Sequence, residues 1–561
     1  MLLKIVLQNN AISLLLTFFS GGVLFFGHMV EVFWPIALFS FALFLFVLVR
    51  EDTVLRRISL ALLFGFLYGG AACLALWHTL PFDWLRFSTV AQVFIVGLYW
   101  FFASVAFGLP YILLGCIRWE KVPTSLLLLL FPSLMLLATA LSVQTFNFLV
   151  KGVDTVLVYN FSAVNPAYFF VEHSLLLSVA PYGGIYTIAF LGVMASAFLF
   201  VGIKHLFAGE KKKAFMFLGV VAVFCLSSFV SISSYYFEKG ARESITVGAV
   251  SFFFTPVQRS SEKNTELLTS FFTDVLLRTK HENLDILVFP ENASIYLLLQ
   301  KNPALRDILR SETTVASSYV KRGEDKKMRA YGSFIEREKG LALQTQKIHL
   351  TPLGEYLPLL FEYLLSVFAS DPVFVQAKYL LNTRPGQELS VYKKESGVVY
   401  AGLYCSEMLS LSLIQSAVEK GAEVLVNPVS QAWFNNSKIY ERQYRRIAQV
   451  QAASVYRPVI LASNMTPAYI IEPTGKIQKK SEWPTQENAL HIIVGDIRPQ
   501  TIHTPYILFG SVPILLFSFV IVLYWFLRSV RHTRGKLILS FSIIFRLFSK
   551  VKKVANLLKF W

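Results

Sequence analysis

The sequence is poor in charge and in cysteine. Of its 561 residues 16% are charged, and only four are cysteine. A soluble globular chain is about 25% charged and about 45–50% apolar, whereas this chain is 55% hydrophobic. The shortage of charge excludes a disordered chain and a simple soluble enzyme. No cluster of His, Cys and Asp has the spacing of metal ligands, so we predict neither a metal nor another cofactor.

The sequence does contain eight apolar runs, each long enough to cross a bilayer core. They lie at about 8–28, 32–50, 58–80, 88–115, 123–146, 180–204, 213–236 and 505–527. Between the seventh and the eighth run, charges are frequent and the apolar runs shorten to strand length. We therefore predict four parts: seven transmembrane helices in 1–237, a globular domain in 238–500, an eighth transmembrane helix in 501–527 and a basic tail in 528–561.

The net charge of +17 indicates orientation rather than nucleic-acid binding. Nine Lys or Arg follow the even-numbered runs, against only Arg86 and Lys151 after the odd-numbered runs. Because basic loops stay in the cytoplasm, we predict that both termini are cytoplasmic and that the 238–500 domain lies outside. Nine more Lys or Arg and no acid occupy 528–561, which favours contact with an anionic inner leaflet. We expect no nucleic-acid partner.

The 238–500 domain alternates strand-like and helical stretches, which is typical of an α/β layered fold. Three of its strand-like runs end near Glu291, Lys347 and Cys405. A desolvated carboxylate can act as a general base, a lysine can stabilise an oxyanion, and a helix start lowers the pKa of a thiol. Each residue also has a plainer interpretation: a capping glutamate, an exposed ion pair of Lys347 with Glu355, and a buried cysteine.

Glu, Lys and Cys in this order resemble the catalytic set of the nitrilase (carbon–nitrogen hydrolase) superfamily. The eight apolar runs and five sequence blocks make the chain similar to the apolipoprotein N-acyltransferase family in particular. The blocks are Phe289–Ala293 for W-P-E-T-A, Lys347–Tyr356 for K-x-H-L-V-P-F-G-E-Y, Cys405–Glu407 for C-Y-E, Ser430–Phe434 for N-D-A-W-F, and Arg457–Asn464 for R-P-V-x-x-A-x-N. The resemblance implies a multi-span α-helical membrane protein with an inserted extracytoplasmic α/β nitrilase-like domain, an αββα sandwich.

The resemblance also implies roles for the residues of the site. Glu291 would be the general base, Lys347 would stabilise the oxyanion and Cys405 would be the nucleophile. Glu355 would orient Lys347, and Glu407 would support the pocket beside the nucleophile. The further pocket candidates are Tyr356, Tyr404, Trp433 and Phe434, of which core packing explains the last two equally well.

The implied reaction is N-acylation of the α-amine of the diacylglyceryl-cysteine of lipoproteins. The acyl donor would be a phospholipid, and the acyl group would pass through a thioester on Cys405 in a ping-pong sequence. The partners would be phospholipid, diacylglyceryl apolipoproteins and membrane lipids, and the protein would be a monomer of the bacterial inner (cytoplasmic) membrane with a periplasmic catalytic domain. The chain departs from the family pattern at Phe289, Asn292, Ser406 and Gln451–Tyr456. Because the Glu, Lys and Cys of the catalytic set are kept, these departures bear on the identity of the acyl acceptor more than on the reaction itself. Two alternatives stay open: a membrane-tethered amidohydrolase that uses water, and a degenerate membrane scaffold.

One stretch of the predicted outer domain is unusually apolar. Leu357–Leu381 lies between Lys347 and Cys405 and has the composition of a lipid-contacting segment. We predict that it forms a membrane-dipping arm or a lid over the acyl pocket. The alternative is a helix buried in the core of the domain.

Overall fold

The structure, a computed structural model, describes residues 10–81, 88–153, 164–230, 240–254, 263–368, 371–486 and 489–532. Its α-helices in these ranges are α1 Asn10–Val23, α2 Trp34–Arg50, α3 Val54–Ala72, α4 Thr89–Gly108, α5 Ile112–Gly115, α6 Thr124–Leu149, α7 Ser174–Ser178, α8 Ala180–Phe207, α9 Lys211–Leu226, α10 Lys263–Arg278, α11 Ile295–Lys301, α12 Leu359–Phe368, α13 Asp371–Leu380, α14 Leu411–Glu419, α15 Lys438–Val455, α16 Pro505–Phe509 and α17 Val512–His532. Arg86 and tail residues 533–561 lie outside the described residues.

Long apolar helices make up most of the N-terminal part of the chain. Seven segments of the described ranges are at least 18 residues long and apolar enough to cross a membrane: Ala11–His28, Val54–Ala72, Thr89–Gly115, Thr124–Leu149, Ala180–Phe207, Lys211–Phe229 and Val512–Val530. Helix α2 is apolar too, although it has only 17 residues. These eight segments coincide with the eight apolar runs of the sequence, as expected for a membrane protein with several spans.

Helices α3 and α4 approach each other closely through glycine. A β-carbon on Gly65 would lie 2.5 Å from the carbonyl oxygen of Gly108, and one on Gly108 would lie 2.6 Å from the carbonyl carbon of Gly65. Small residues permit this contact between helix backbones in a membrane, where packing rather than water drives helix association.

The α/β domain contains twelve strands within the described residues. They are β1 Ile245–Phe252, β2 Ile286–Val288, β3 Thr314–Arg322, β4 Met328–Glu336, β5 Gly340–Gln346, β6 Val391–Lys393, β7 Val399–Gly402, β8 Val424–Ser430, β9 Val459–Asn464, β10 Tyr469–Ile471, β11 Ile477–Lys480 and β12 Leu490–Ile497. The main path of the sheet is β5-β4-β3-β2-β1-β9-β8-β7-β6. Strands β3, β2, β1, β9, β8 and β7 are parallel along this path, and antiparallel strands flank them.

The two halves of this path face each other across an apolar core. Phe334 of β4 stacks on Tyr392 of β6 at 4.8 Å between ring centroids, although the two strands lie near opposite ends of the path. Helices α10 and α11 cover one outer face, and α14 and α15 cover the other. The arrangement is therefore helix, strand, strand, helix, and the predicted nitrilase-like sandwich is confirmed.

Helix α15 connects the domain to the ends of the apolar helices. The guanidinium of Arg446 is fully buried and donates to the carbonyl oxygens of Gly27 at 2.6 Å and Val30 at 2.9 Å. The amide of Gln443 donates to the carbonyl oxygen of Ala72, the last residue of α3, at 2.9 Å. These side-chain donors use the carbonyl groups that helix ends leave unpaired, so one face of the domain is fixed against one end of the helical part.

We predict that Gly65→Leu destabilises the protein by about 1–3 kcal/mol, the usual range for a side chain forced into a filled space. The new side chain would collide with the backbone of α4. Thermal unfolding in detergent measures the effect. Gly219→Leu is the matched control, because a β-carbon there meets nothing within 4 Å. Equal midpoints for both variants would contradict the packing described.

Candidate active site

The predicted catalytic residues all follow the carboxyl ends of strands at one edge of the sandwich. Glu291 lies three residues after β2, Lys347 directly follows β5, and Cys405 lies three residues after β7. Strand β5 runs in the direction of β3, because β4 is antiparallel to both. The carboxyl ends of co-directional strands meet at the same edge, where α/β proteins place their sites.

Lys347 lies between two carboxylates in the interior of this edge. Its ammonium nitrogen Nζ is 3.1 Å from Oε1 of Glu291 and 3.0 Å from Oε1 of Glu355. Only 2% of Lys347 and 7% of Glu291 are exposed to solvent. The second oxygen of Glu355 accepts the backbone N–H of Thr351 at 2.6 Å, which fixes the carboxylate beside the lysine.

The two carboxylates keep Lys347 charged. Burial alone would lower the pKa of its ammonium group, but the charges of Glu291 and Glu355 outweigh burial and hold that pKa well above its ordinary value. A buried amine without such partners would lose its proton. The site therefore contains a fixed positive charge at physiological pH.

Cys405 occupies a strained backbone position next to this ion network. Its φ is +49°, a left-handed conformation that is uncommon for residues other than glycine. The hydroxyl of Tyr444, on α15, lies 2.6 Å from the carbonyl oxygen of Cys405 and 2.8 Å from Oδ1 of Asn427. The backbone N–H of Ser430, at the end of β8, hydrogen bonds the thiol. A nucleophile on a strained turn after a strand has its side chain exposed to the substrate.

The predicted lowering of the pKa of the Cys405 thiol is wrong for the resting site. Burial raises this pKa, the carboxylate of Glu291 raises it further, and the opposing charge of Lys347 does not compensate. The helix start is also too distant, because a 3-10 turn covers Cys405–Leu409 and α14 begins only at Leu411. The thiol therefore stays protonated until a base removes its proton.

Glu407 connects the turn that contains Cys405 to the segment that follows Lys347. Its carboxylate accepts the backbone N–H groups of Ile348 at 2.7 Å and of Tyr404 at 2.8 Å. Burial raises its pKa to about 7, although these hydrogen bonds act in the opposite direction. A second link is the Ser406 hydroxyl, which donates to the carbonyl oxygen of His349 at 2.7 Å.

Comparison with known proteins identifies the domain. Residues 277–504 match the family profile described as carbon–nitrogen hydrolase. This part of the chain is therefore a carbon–nitrogen hydrolase domain with a nitrilase-like fold.

Two curated proteins similar to this chain are apolipoprotein N-acyltransferases. The chain is 27% identical over 201 residues to an apolipoprotein N-acyltransferase of Agrobacterium fabrum, a match that covers 34% of this chain and 37% of the relative. It is 28% identical over 261 residues to one of Photobacterium profundum, covering 44% and 47%. The chain thus spans less than half the length of these two relatives. A solved carbon–nitrogen hydrolase of Helicobacter pylori G27 aligns with a TM-score of 0.34 and 12% identity, over 46% of this chain and 89% of that chain.

The nitrilase site opens into a cavity of about 760 Å³ that reaches the apolar helices. Glu291, Lys347 and Cys405 line one part of it. Side chains from the membrane part line another, including Cys73 and Leu76 near the end of α3 and Tyr99 of α4. Cys405 therefore faces an apolar cavity shared by the domain and the helices.

The structure separates the four pocket candidates. Trp433 and Phe434 line the cavity. Tyr356 and Tyr404 are not among its described lining residues: the Tyr356 hydroxyl donates to the carbonyl oxygen of Val150, and the Tyr404 ring covers Gly332. Of the supporting residues, Glu355 lines the cavity and Glu407 lies behind Cys405.

Two helices, α12 and α13, form the apolar stretch between Lys347 and Cys405. Leu364 and Leu365 face the cavity, whereas Tyr363 and Val375 are 66% and 63% exposed. The stretch is therefore neither a single helix nor fully buried in the core. It is a two-helix arm with one apolar side on the cavity and another apolar side at the surface.

Sequence patterns did not reveal the part played by α15. Tyr440 and Tyr444 lie on the cavity side of this helix, and Tyr440 stacks on Phe434 at 3.6 Å between ring centroids. Arg446 lines the same cavity and anchors the helix through its bond to the carbonyl oxygen of Gly27. The available signal was three arginines in five residues on an amphipathic helix, a pattern that more often marks a solvated face.

We predict that Tyr444→Phe slows acylation of Cys405 about tenfold while leaving the substrate KM nearly unchanged. The hydroxyl contacts the backbone carbonyl of Cys405, so its loss relaxes the strained turn. Stopped reactions followed by mass spectrometry of the Cys405 peptide give the rate. Tyr440→Phe removes the neighbouring hydroxyl and is the matched control. Equal rates for wild type and Tyr444→Phe would contradict a positioning role.

Proposed function

We propose that this chain transfers an acyl group from a phospholipid to the α-amine of diacylglyceryl-cysteine lipoproteins. The observation that supports this most strongly is the position of Cys405, beside Glu291 and Lys347 and facing an apolar cavity that reaches the apolar helices. Both proposed substrates are anchored in the membrane, and burial of each acyl methylene is worth about 0.8 kcal/mol. An enzyme that acts on them must open to the bilayer.

The first half of the reaction forms a thioester. Glu291 takes the proton from the Cys405 thiol, and the sulfur attacks the carbonyl carbon of a phospholipid ester. The charged Lys347 stabilises the negative oxygen that develops, an effect on the order of 3–4 kcal/mol per donor in other enzymes. When the intermediate collapses, the carbon–oxygen bond breaks, the leaving alkoxide takes the proton from Glu291, and a lysophospholipid departs.

The second half transfers the acyl group to an amine. The free α-amine of the lipoprotein attacks the thioester carbonyl, and Glu291 accepts a proton from the attacking nitrogen. Collapse then breaks the carbon–sulfur bond, forms the amide and returns the proton to the Cys405 sulfur. Such a sequence gives ping-pong kinetics.

The proposal includes the arrangement of the chain in the membrane. Residues 1–237 would form seven spans, 238–500 the periplasmic catalytic domain, 501–527 the eighth span and 528–561 a cytoplasmic tail, in a monomer of the bacterial inner membrane. The excess of basic residues in the predicted cytoplasmic loops supports this orientation. The contact of α15 with the helix ends supports a catalytic domain that lies on the membrane surface.

Mass spectrometry of the Cys405 peptide after incubation with phospholipid tests the function. We expect an acyl adduct that an amine lipopeptide discharges to an amide, and complete loss of the adduct in Cys405→Ala. Cys73→Ala is the matched control, because Cys73 lines the same cavity and lies outside the proposed chemistry. Discharge by water alone would instead indicate the amidohydrolase, and no adduct in wild type would favour the scaffold.

A further inference from the structure

A strongly basic hairpin lies next to the two-helix arm. It consists of the ends of β3 and β4 and the turn between them, residues 321–329. Its basic residues, with Arg384 beside it, are Lys321, Arg322, Lys326, Lys327, Arg329 and Arg384, and its acids are Glu324 and Asp325. Asp325 is already paired with Arg329 at 2.8 Å and with Arg384 at 3.4 Å. Lys321, Arg322 and Lys326 form no ion pair with any residue that the structure describes.

The basic hairpin and the arm form one continuous surface. Backbone hydrogen bonds join Met328 to the segment that follows α13. The N–H of Met328 donates to the carbonyl oxygen of Asn382 at 3.0 Å, and its carbonyl oxygen accepts the N–H of Arg384 at 2.8 Å. The guanidinium of Arg322 lies 4.3 Å from the ring centroid of Tyr379, at the exposed side of α13. Cations and exposed apolar side chains are therefore immediate neighbours.

This surface lies at the end of an apolar helix. The N–H of Leu359, the first residue of α12, donates to the carbonyl oxygen of Lys151 at 2.8 Å, two residues after α6 ends. The ring of Phe361 packs edge-on against Tyr99 of α4 at 5.1 Å. The arm thus crosses the ends of helices that are long and apolar enough to span a membrane.

We propose that the basic hairpin and the arm together bind the surface of a membrane that contains anionic phospholipids. The exposed apolar side chains of the arm, Tyr363, Val367, Val375 and Tyr379, would enter the boundary of the acyl region, and Lys321, Arg322 and Lys326 would contact lipid phosphates. An apolar helical face flanked by cations is the usual composition of an interfacial anchor. Each cation near an anionic surface changes the binding constant on the order of fivefold.

The anchor would also hold the mouth of the catalytic cavity on the bilayer. Val320, the residue before the hairpin, lines the cavity that contains Cys405, as do Met328 of the hairpin and Leu364 and Ala377 of the arm. Contact with the membrane would therefore place the opening of the cavity at the level where lipid esters lie. The binding itself stands apart from the acyl-transfer proposal, and only its effect on turnover rests on that proposal.

Hydrogen exchange of the full-length protein in nanodiscs tests the proposal. The nanodiscs contain phosphatidylcholine alone or with an equal part of phosphatidylglycerol. We expect amides of 321–329 and 359–380 to exchange about tenfold more slowly with the anionic lipid, and high salt to remove the difference because the interaction is electrostatic. The variant Lys321→Gln/Arg322→Gln/Lys326→Gln should lose it.

The matched control variant is Lys280→Gln/Lys301→Gln/Arg306→Gln. It removes three positive charges at the ends of α10 and α11 or just after them, and this helical layer is on the opposite side of the sandwich from α15. The control variant should keep the lipid effect. Exchange that is independent of lipid charge in wild type, or equally lipid-dependent in the hairpin variant, would overturn the proposal. Equal protection by polyglutamate in phosphatidylcholine nanodiscs would assign the surface to an acidic polypeptide and overturn it as well. Acylation of Cys405 is measured in parallel: an anchor that fails while acylation proceeds contradicts this proposal alone.

Discussion

The ion network of Lys347 with Glu291 and Glu355 is the interaction on which the site depends. A buried ammonium group is costly unless opposite charges and hydrogen bonds compensate for its lost hydration, and here two carboxylates lie within 3.1 Å of it. The network has one more negative than positive charge. Burial raises the pKa of the Cys405 thiol, and the nearby carboxylate of Glu291 raises that pKa further, so the thiol remains protonated. In the proposed reaction, transfer of the thiol proton to Glu291 would leave the total charge unchanged, and Lys347 would stabilise the oxygen that becomes negative.

The geometry of this network rests on contacts that begin in the apolar helices. Arg446 binds carbonyl groups at the end of the first apolar segment, and Tyr444, two residues earlier on α15, contacts the backbone of Cys405. Helix α15 thus connects the apolar helices with the turn that contains Cys405. Helix α15 and the helix ends both contribute residues that line the cavity. The candidate site is therefore built jointly by the α/β domain and the helices.

The features that could be predicted from the sequence are those set by residues close together along the chain. The apolar runs, the α/β layering and the strand ends before Glu291, Lys347 and Cys405 were predictable, because strand alternation and apolar length are local properties. The nitrilase-like form of the domain was predicted only through the resemblance of its sequence blocks to a known family. Tyr356 and Tyr404 did not follow this logic. They neighbour site residues in sequence, but neither lines the cavity: the Tyr356 hydroxyl donates to the carbonyl oxygen of Val150, and the Tyr404 ring covers Gly332. Tyr444 and Arg446 were not predictable, because their partners, Cys405 and Gly27, are remote in sequence. The pKa of Cys405 was misjudged because its causes, burial of the thiol and the charges of Glu291 and Lys347, depend on the fold and not on the sequence around the cysteine.

The state of the Cys405 thiol at rest tests this account most directly. The measurement is the pH dependence of alkylation by iodoacetamide in a chain whose other cysteines, Cys73, Cys116 and Cys225, are replaced by alanine. Because only the thiolate reacts, we predict slow alkylation at neutral pH and a rate that is still rising above about pH 8.5, where an ordinary thiol ionises. A rate that reaches its plateau below about pH 7 would show a preformed thiolate, and it would contradict the claim that the buried ion network keeps the nucleophile protonated until Glu291 removes its proton.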